Sequence, residues 1–307
     1  MNKFFDYLLS EPNMLLSYIW SRLGTRIPDD IYLKIRYRLV MKRPLRLDNP
    51  QTFNEKINWL KLYNRQPLYT SLVDKSTVKD YVKRLIGDEY IIPTLGIWDR
   101  FDDINFSELP NQFVLKSTNG GGGTGVIVCK DKSLLDISDA KKKLEKSMNT
   151  NFKIGREWVY TGVKPRIIAE QLISNSDGSE LVDYKIFCFN GEPKLLFLAS
   201  DRYTKGESLK FDWYDIDLNH LPFKSKGYET TNKKFPTFPE FNQMKDVARQ
   251  LSQGIPFVRV DLYLVDHKIY FGELTFFHDG GFVPLEPEVW EYKLGAMIEL
   301  PKKYIEK

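Results

Sequence analysis

The stretch that most restricts the fold is Arg259-Val-Asp261-Leu-Tyr-Leu-Val-Asp-His-Lys-Ile-Tyr-Phe-Gly-Glu273-Leu-Thr275. Two β-type runs flank Asp266-His267-Lys268, which predicts a short antiparallel hairpin. With His267 at the centre of the turn, Asp261 faces Glu273 and Arg259 faces Thr275. Strand side chains alternate, so these four share one face while Val258, Val260, Leu262 and Leu264 share the other. Directly opposed positions have Cβ atoms roughly 5 Å apart, and like charges placed there repel. A cation held between them would remove that penalty, and oxygen ligands on a rigid sheet suit Mg²⁺ completed by water and phosphate. A solvated polar face in a different register accounts for the same residues equally well.

The chain has 307 residues, enough for two or three packed subdomains. With 42% hydrophobic and 28% charged residues it has the composition of a globular protein, and a net charge of +4 permits an anionic substrate without indicating nucleic acid. Cys129 and Cys188 fall in apolar β-type runs, as buried thiols do, which favours a reducing compartment. The N-terminus carries acidic residues among its apolar ones and lacks a small-residue cleavage site, so it reads poorly as a signal peptide. No run approaches the ~18 apolar residues that span a bilayer. A cytoplasmic protein is expected, with the option of resting on a membrane.

Residues 1 to about 70 carry helical patterning. Leu15, Leu16, Ile19, Trp20 and Leu23 keep helical spacing, a second helix is predicted over Asp29 to Met41, and Thr52 with Glu55 fits a capping box for a third through Tyr63. Arg36, Arg38, Lys42, Arg43 and Arg46, with Tyr32 and Tyr37 among them, make this region basic. A solvated helix face explains them, and so does a docking patch for an acidic glycan or anionic lipid headgroups. Lys75 opens another predicted helix, Ser76 to Ile86, which Gly87 ends.

A short strand, Phe113 to Lys116, leads into Ser117-Thr-Asn-Gly-Gly-Gly-Gly-Thr-Gly125, and a second strand, Val126 to Cys129, follows. Glycines let backbone N–H groups converge on an anion, and Lys116 adds a mobile charge. Neither a Walker loop nor a dinucleotide fingerprint fits, because both require a helix next. The pattern predicts a flap that closes over phosphates, set against a plain surface turn. Later strands are expected at Arg166 to Ile173, Glu180 to Phe189 and Pro193 to Ala199, the last two joined by Asn190-Gly191, a strong hairpin signal. Lys185 lies inside one of them. Helices follow over Pro239 to Ser252 and around Tyr292 to Glu299. None of His220, His267 and His278 completes a Ser/His/Asp or Cys/His set; His278 borders Asp279-Gly280 and fits a turn histidine best.

In this order the parts resemble the ATP-grasp superfamily. Lys116 to Gly125, Asp183-Tyr-Lys-Ile-Phe-Cys-Phe-Asn-Gly191 and Gly272-Glu-Leu-Thr275 are similar to its TupA-like branch, associated with bacterial surface-polysaccharide, capsule and teichuronopeptide synthesis. The resemblance runs from about Lys56 to Leu294. It implies an α+β ATP-grasp fold, in which two α+β subdomains clamp ATP. Residues 1–70 would be an N-terminal helical arm, 71–175 the small subdomain with the glycine-rich flap, and 176–307 the large subdomain with the Mg²⁺ site. Lys75 and Lys116 would contact ATP phosphates, and Gly120, Gly121, Gly122, Gly123, Thr124 and Gly125 would form the flap. Glu170, Gln171, Leu172 and Ile173 would form the adenine and ribose hinge, with Lys185 a further nucleotide contact. Asp261, Glu273 and Thr275 would hold Mg²⁺, Arg259 would act in catalysis with Lys116, and Gly280-Gly281 would offer N–H groups to substrate. Two departures stand out. Thr275 fills the slot where most of the superfamily has Asn, which bears on a second Mg²⁺, and the helical arm replaces a customary βαβ domain, so substrate identity does not carry over.

The resemblance implies an ATP-dependent carboxylate-amine ligase that works through an acyl-phosphate, a reaction that needs positioning and electrostatics more than a side-chain base. The expected partners are an acidic sugar or glycan and an amine, such as an amino acid. Nucleic acid is not expected, and the basic arm is open to peripheral membrane contact. Two competitors are a glycosyltransferase or sugar kinase, for which Asp215-Ile-Asp217 would be the metal motif, and a non-catalytic nucleotide-binding scaffold.

Overall fold

The computed structural model describes residues 12–23, 26–120, 125–200, 210–231, 235 and 237–304. The tip of the glycine-rich stretch, Gly121 to Thr124, therefore lies outside the described residues. Among the described residues three helices come first: α1 (Pro12–Leu23), α2 (Asp29–Met41) and α3 (Phe53–Tyr63). The expected capping box starts α3, where the Thr52 hydroxyl accepts from Glu55 N and the Glu55 carboxylate accepts from Thr52 N at 3.0 Å. Nearly all of α3 is buried, including Phe53, Ile57, Trp59, Leu60 and Lys61. Tyr32 and Tyr37, which the sequence sets among the basic residues of this region, are core residues. They face inward because α2 packs its Tyr32, Leu33, Tyr37 side onto the rest of the protein.

Helices α4 (Leu68–Val73) and α5 (Val78–Ile86) follow, so Lys75 sits in the turn between them rather than on a helix. A four-stranded antiparallel sheet has the order β1-β4-β2-β3, from β1 (Thr94–Trp98), β2 (Phe113–Ser117), β3 (Val126–Cys129) and β4 (Ile167–Gln171). One of its faces buries Phe113, Leu115, Ile167 and Ala169 against Ala140 and Leu144 of α6 (Ile137–Met148). Alternation then turns Lys116 and Glu170 to the other face. A short helix, α7 (Trp158–Thr161), precedes β4.

The larger antiparallel sheet has the order β10-β9-β5-β6-β7, from β5 (Asp183–Phe189), β6 (Glu192–Ser200), β7 (Lys210–Asp215), β9 (Phe257–Val265) and β10 (Lys268–Thr275). A two-residue turn joins β5 to β6 with Asn190 at φ 52° and Gly191 at φ 83°, both left-handed as the Asn-Gly signal requires. Val258, Val260 and Leu262 point to one face, which α8 (Glu240–Ser252) covers with Met244, Val247 and Leu251. Their neighbours Arg259 and Asp261 point to the other. A two-stranded sheet of β8 (Lys224–Ser225) and β11 (Leu285–Glu286) and the helix α9 (Val289–Met297) complete the chain. Gly295 lets α9 approach the backbone at Gln51 and Thr52 so closely that any Cβ would overlap it. Among the described residues no helix is long and apolar enough to cross a membrane.

Candidate active site

The site begins on β9 and β10. Asp261 pairs with Glu273 and Arg259 with Thr275, the register expected from the sequence, but the cause differs. The turn is Asp266-His267 alone, with φ of 47° and 65°, and Lys268 already pairs with Val265. That turn would bring Gly272, not Glu273, opposite Asp261. A bulge between Phe271 and Glu273 absorbs Gly272 and restores the carboxylate pair.

The expected repulsion between these carboxylates is met by protein cations. Arg259 donates Nε to Asp261 Oδ1 at 2.6 Å and Nη2 to Asp261 Oδ2 at 2.7 Å, and the same Nη2 reaches Glu273 Oε1 at 3.4 Å. Lys185, on the neighbouring strand, donates to Asp261 Oδ2 at 2.6 Å and also to Asp183. Burial alone would raise the Asp261 carboxyl, but Arg259 and Lys185 outweigh it and hold it below the usual carboxylate range. Asp261 is therefore an anion whose oxygens are already engaged. Glu273 is more open, its side chain 30% exposed. Among the described residues no group of three or more His, Cys, Asp or Glu could hold a metal by itself.

A cleft runs between this edge and the small sheet. Val78, Ile91, Ile92 and Phe271 give it an apolar wall, and Lys75, Lys79, Lys116 and Glu170 supply its charges. Glu170 accepts from Lys116 at 2.6 Å through one oxygen and faces Lys79 at 2.5 Å through the other. Burial would raise its pKa, but Lys116 and Lys79 hold it low. Lys75 crosses the cleft mouth, donating to the Gly120 carbonyl and lying 3.4 Å from Glu273 Oε2. The glycine-rich stretch is anchored at both ends: a Cβ on Gly120 or Gly125 would strike the hydroxyls of Ser117 and Ser147, which bond each other at 2.6 Å. Three cations thus converge beside a glycine loop with a single carboxylate among them, an arrangement suited to a polyanion such as a triphosphate.

Beyond Thr275 the chain turns through His278 to Gly281. His278, expected to be an idle turn residue, is buried against Phe187, Phe197 and Trp213. Burial lowers its pKa to about 4, so it is neutral. Its Nδ1 lies 3.2 Å from Arg259 Nη1, and because guanidinium only donates, Nδ1 is the acceptor. His278 thereby steadies the back of Arg259. Lys61 from α3 donates to Gly155 O at 3.0 Å and to Gly280 O at 2.5 Å, tying this turn to the loop that carries Glu157. Burial raises the Glu157 carboxyl, with Lys61 and Arg36 opposing. Tyr160, one turn on, is pushed well above the usual phenol range by burial and by the charges of Glu157 on one side and Glu273 on the other. A second, mixed-charge wall therefore closes the large-sheet side of the site.

Lys75, Lys116 and Glu170 line the cleft, Lys75 links it to Gly120 and Glu273, and Arg259, Asp261 and Lys185 follow from Glu273 by a chain of contacts, with Thr275 half-buried opposite Arg259 and Gly125 at the far end of the loop. Gln171 is exposed, its N–H bonded to Pro93 O at 3.0 Å, and Leu172 and Ile173 lie half-buried in the loop after β4. Gly121, Gly122, Gly123 and Thr124 lie outside the described residues. Sequence reasoning missed Lys79, Lys61, Glu157 and Tyr160. One signal was available for Lys61, a lysine inside the apolar run Trp59-Leu-Lys-Leu62. The Asp215-Ile-Asp217 motif is spent on a turn, where Asp215 Oδ1 accepts from the Asp217 and Asn219 N–H groups at 2.9 Å.

A family model described as TupA-like ATPgrasp matches residues 55–299. Curated proteins give no match. Among solved structures, a D-alanine–D-alanine ligase from Helicobacter pylori is similar at 16% identity and a TM-score of 0.41, covering 80% of this chain and 69% of that one. D-cycloserine synthetase DcsG is similar at 14% identity and a TM-score of 0.42, covering 75% and 71%. The D-alanine–D-alanine ligase from Bacillus anthracis complexed with ATP is similar at 14% identity and a TM-score of 0.38 over 66% of this chain, which spans about half of that enzyme, 53%. With the family model matched over most of its length, from residue 55 to residue 299, the chain belongs to the TupA-like ATP-grasp family.

Proposed function

We propose that the protein is an ATP-dependent carboxylate-amine ligase that acts on a uronic-acid-type carboxylate of a cell-surface polysaccharide or its precursor, joining it to an amine such as an amino acid. The observation that carries this reading is the placement of Lys75, within reach of both the glycine loop at Gly120 and the acidic strand at Glu273. It supports reading the lysine-lined cleft and the pair of carboxylates as one reaction space. Lys75, Lys79, Lys116 and Lys185 are the cations for the triphosphate. Glu273, half-open and with its cations 3.4 Å away, fits a Mg²⁺ ligand, with Asp261 and Thr275 beside it. When bound there, Mg²⁺ would offset phosphate charge.

In the first step a substrate carboxylate oxygen attacks the γ-phosphorus and the bond to the bridging oxygen breaks, which yields ADP and an acyl-phosphate. The amine nitrogen then attacks the acyl carbon, phosphate leaves with the electron pair of the C–O bond, and the nitrogen sheds a proton. Arg259, fixed by Asp261 and His278, stands ready to steady the oxyanion of that second step. Lys116 supports charge in flight in the first. Asp215, occupied by the N–H groups of Asp217 and Asn219 in its own turn, gives little support to a nucleotide-sugar reading.

Incubation with ATP, Mg²⁺, hydroxylamine and a panel of uronic acids should produce ADP together with a hydroxamate. A stable phosphorylated sugar would identify a kinase instead, and ATP binding with no turnover across the panel would identify a scaffold. Lys79→Met is expected to raise KM for ATP at least about tenfold, the loss of one charge-assisted contact to phosphate.

A further inference from the structure

The outward face of the helical arm has a composition that the proposed catalysis does not use. On α2 the exposed positions are Ile31, Lys34, Ile35, Arg38 and, at the cap, Lys42, spaced as one helical stripe. Ile31 is 46% exposed and Ile35 37%. The neighbouring α1 adds Leu16 at 52% and Ile19 at 43%, and Trp20 stacked on Tyr32 at 6.2 Å holds the two helices together. The rest of the local basic set divides by direction. Arg36 turns inward to donate to Ile154 O at 2.7 Å and lies over the Phe282 ring, and Arg43 pairs with Glu288 and Glu291. Arg46 joins the exposed group, and Asp30 lies 3.7 Å from Lys34.

We propose that this face is a membrane-docking surface for anionic lipid headgroups. Single exposed apolar side chains are ordinary, but isoleucines alternating with long cationic side chains along one stripe are what an interfacial helix presents. The isoleucines enter the headgroup boundary while Lys34 and Arg38 extend to phosphates at its level. A second copy of the chain is a poorer occupant, since a two-fold contact would set these cations against themselves. Docking also leaves the inward contacts of α2 undisturbed, because the two faces share no residue.

Cosedimentation with vesicles tests this without reference to catalysis. The full chain should sediment with phosphatidylcholine vesicles that contain about three parts in ten of phosphatidylglycerol, and remain in solution with phosphatidylcholine alone. Each basic side chain at an anionic surface multiplies partitioning by roughly fivefold, so the double variant Lys34→Glu, Arg38→Glu should bind at least about twentyfold more weakly. The variant Ile31→Asn, Ile35→Asn should lose the binding that survives high salt. Both pairs are solvent-facing and should melt as the parent does. Equal sedimentation with both vesicle types, or unchanged binding by both variants, would overturn the proposal. So would light scattering that shows a dimer dispersed by the isoleucine substitutions, because the face would then belong to a second copy.

Discussion

Glu273→Gln is expected to reduce ATP-dependent turnover by on the order of a thousandfold while the protein melts within a few degrees of its parent. Asp261→Asn is expected to lower stability by about 3–5 kcal/mol. The two residues face each other across one strand pair, yet their surroundings differ. Glu273 is 30% exposed and its nearest cations, Lys75 and Arg259, stand 3.4 Å away, too far for strong bonds. Glutamine keeps its shape and loses only the charge that a metal ion would need. Asp261 is 2% exposed and accepts from Arg259 through both oxygens and from Lys185 through one. Removing its charge leaves the buried Arg259 with only the more distant Glu273 and the buried Lys185 with only Asp183, which costs far more than the pair contributes. Thermal melts followed by circular dichroism, with ADP release measured in parallel, separate the two effects. A Glu273→Gln protein that melts as low as Asp261→Asn would mean that its charge is structural, and one that keeps its turnover would end its assignment to the metal.

The same contrast explains what the sequence could reveal. Local patterns were legible wherever a rule acts between near neighbours: the Thr52/Glu55 capping box, the Asn190-Gly191 turn, and the alternation that puts Arg259 and Asp261 on one face of β9. The Asp261–Glu273 register was anticipated through an offsetting pair of errors, a turn one residue too long and an unforeseen bulge at Gly272. Cation placement was not legible, since Lys79 and Lys61 meet their partners across 91 and 219 positions of chain, respectively at Glu170 and Gly280. Nothing in a helix sequence separates an inward lysine from a solvated one except its apolar neighbours. Tyr32 and Tyr37 were hard to place for a related reason: they sit among arginines in the sequence, whereas with Leu33 they form the buried side of α2.

Lys61→Met should separate architecture from activity most sharply. Lys61 is wholly buried, donates to two carbonyls and lies over the Phe282 ring at 4.8 Å and the Phe277 ring at 5.6 Å. Burial lowers its pKa from 10.5 to about 7, with Glu157 only partly restoring it. Between those two values the unfolded chain holds a proton that the folded chain has shed. Stability therefore rises with pH across that interval, at up to about 1.4 kcal/mol per unit, and the full burial cost is felt below about pH 7. Methionine removes that cost but strands the Gly155 and Gly280 carbonyls, about 1–3 kcal/mol each, so the variant should be close to its parent in stability near neutrality. Above it the parent should gain steadily on the variant, as denaturant titrations at successive pH values would record. Activity should fall about a hundredfold at every pH, because Lys61 sets the turn after the metal-face strand against the loop of Glu157 and Tyr160. A stability difference flat with pH would mean that the ammonium stays charged in the fold. Full activity in the methionine variant would mean that this wall of the site does not meet substrate.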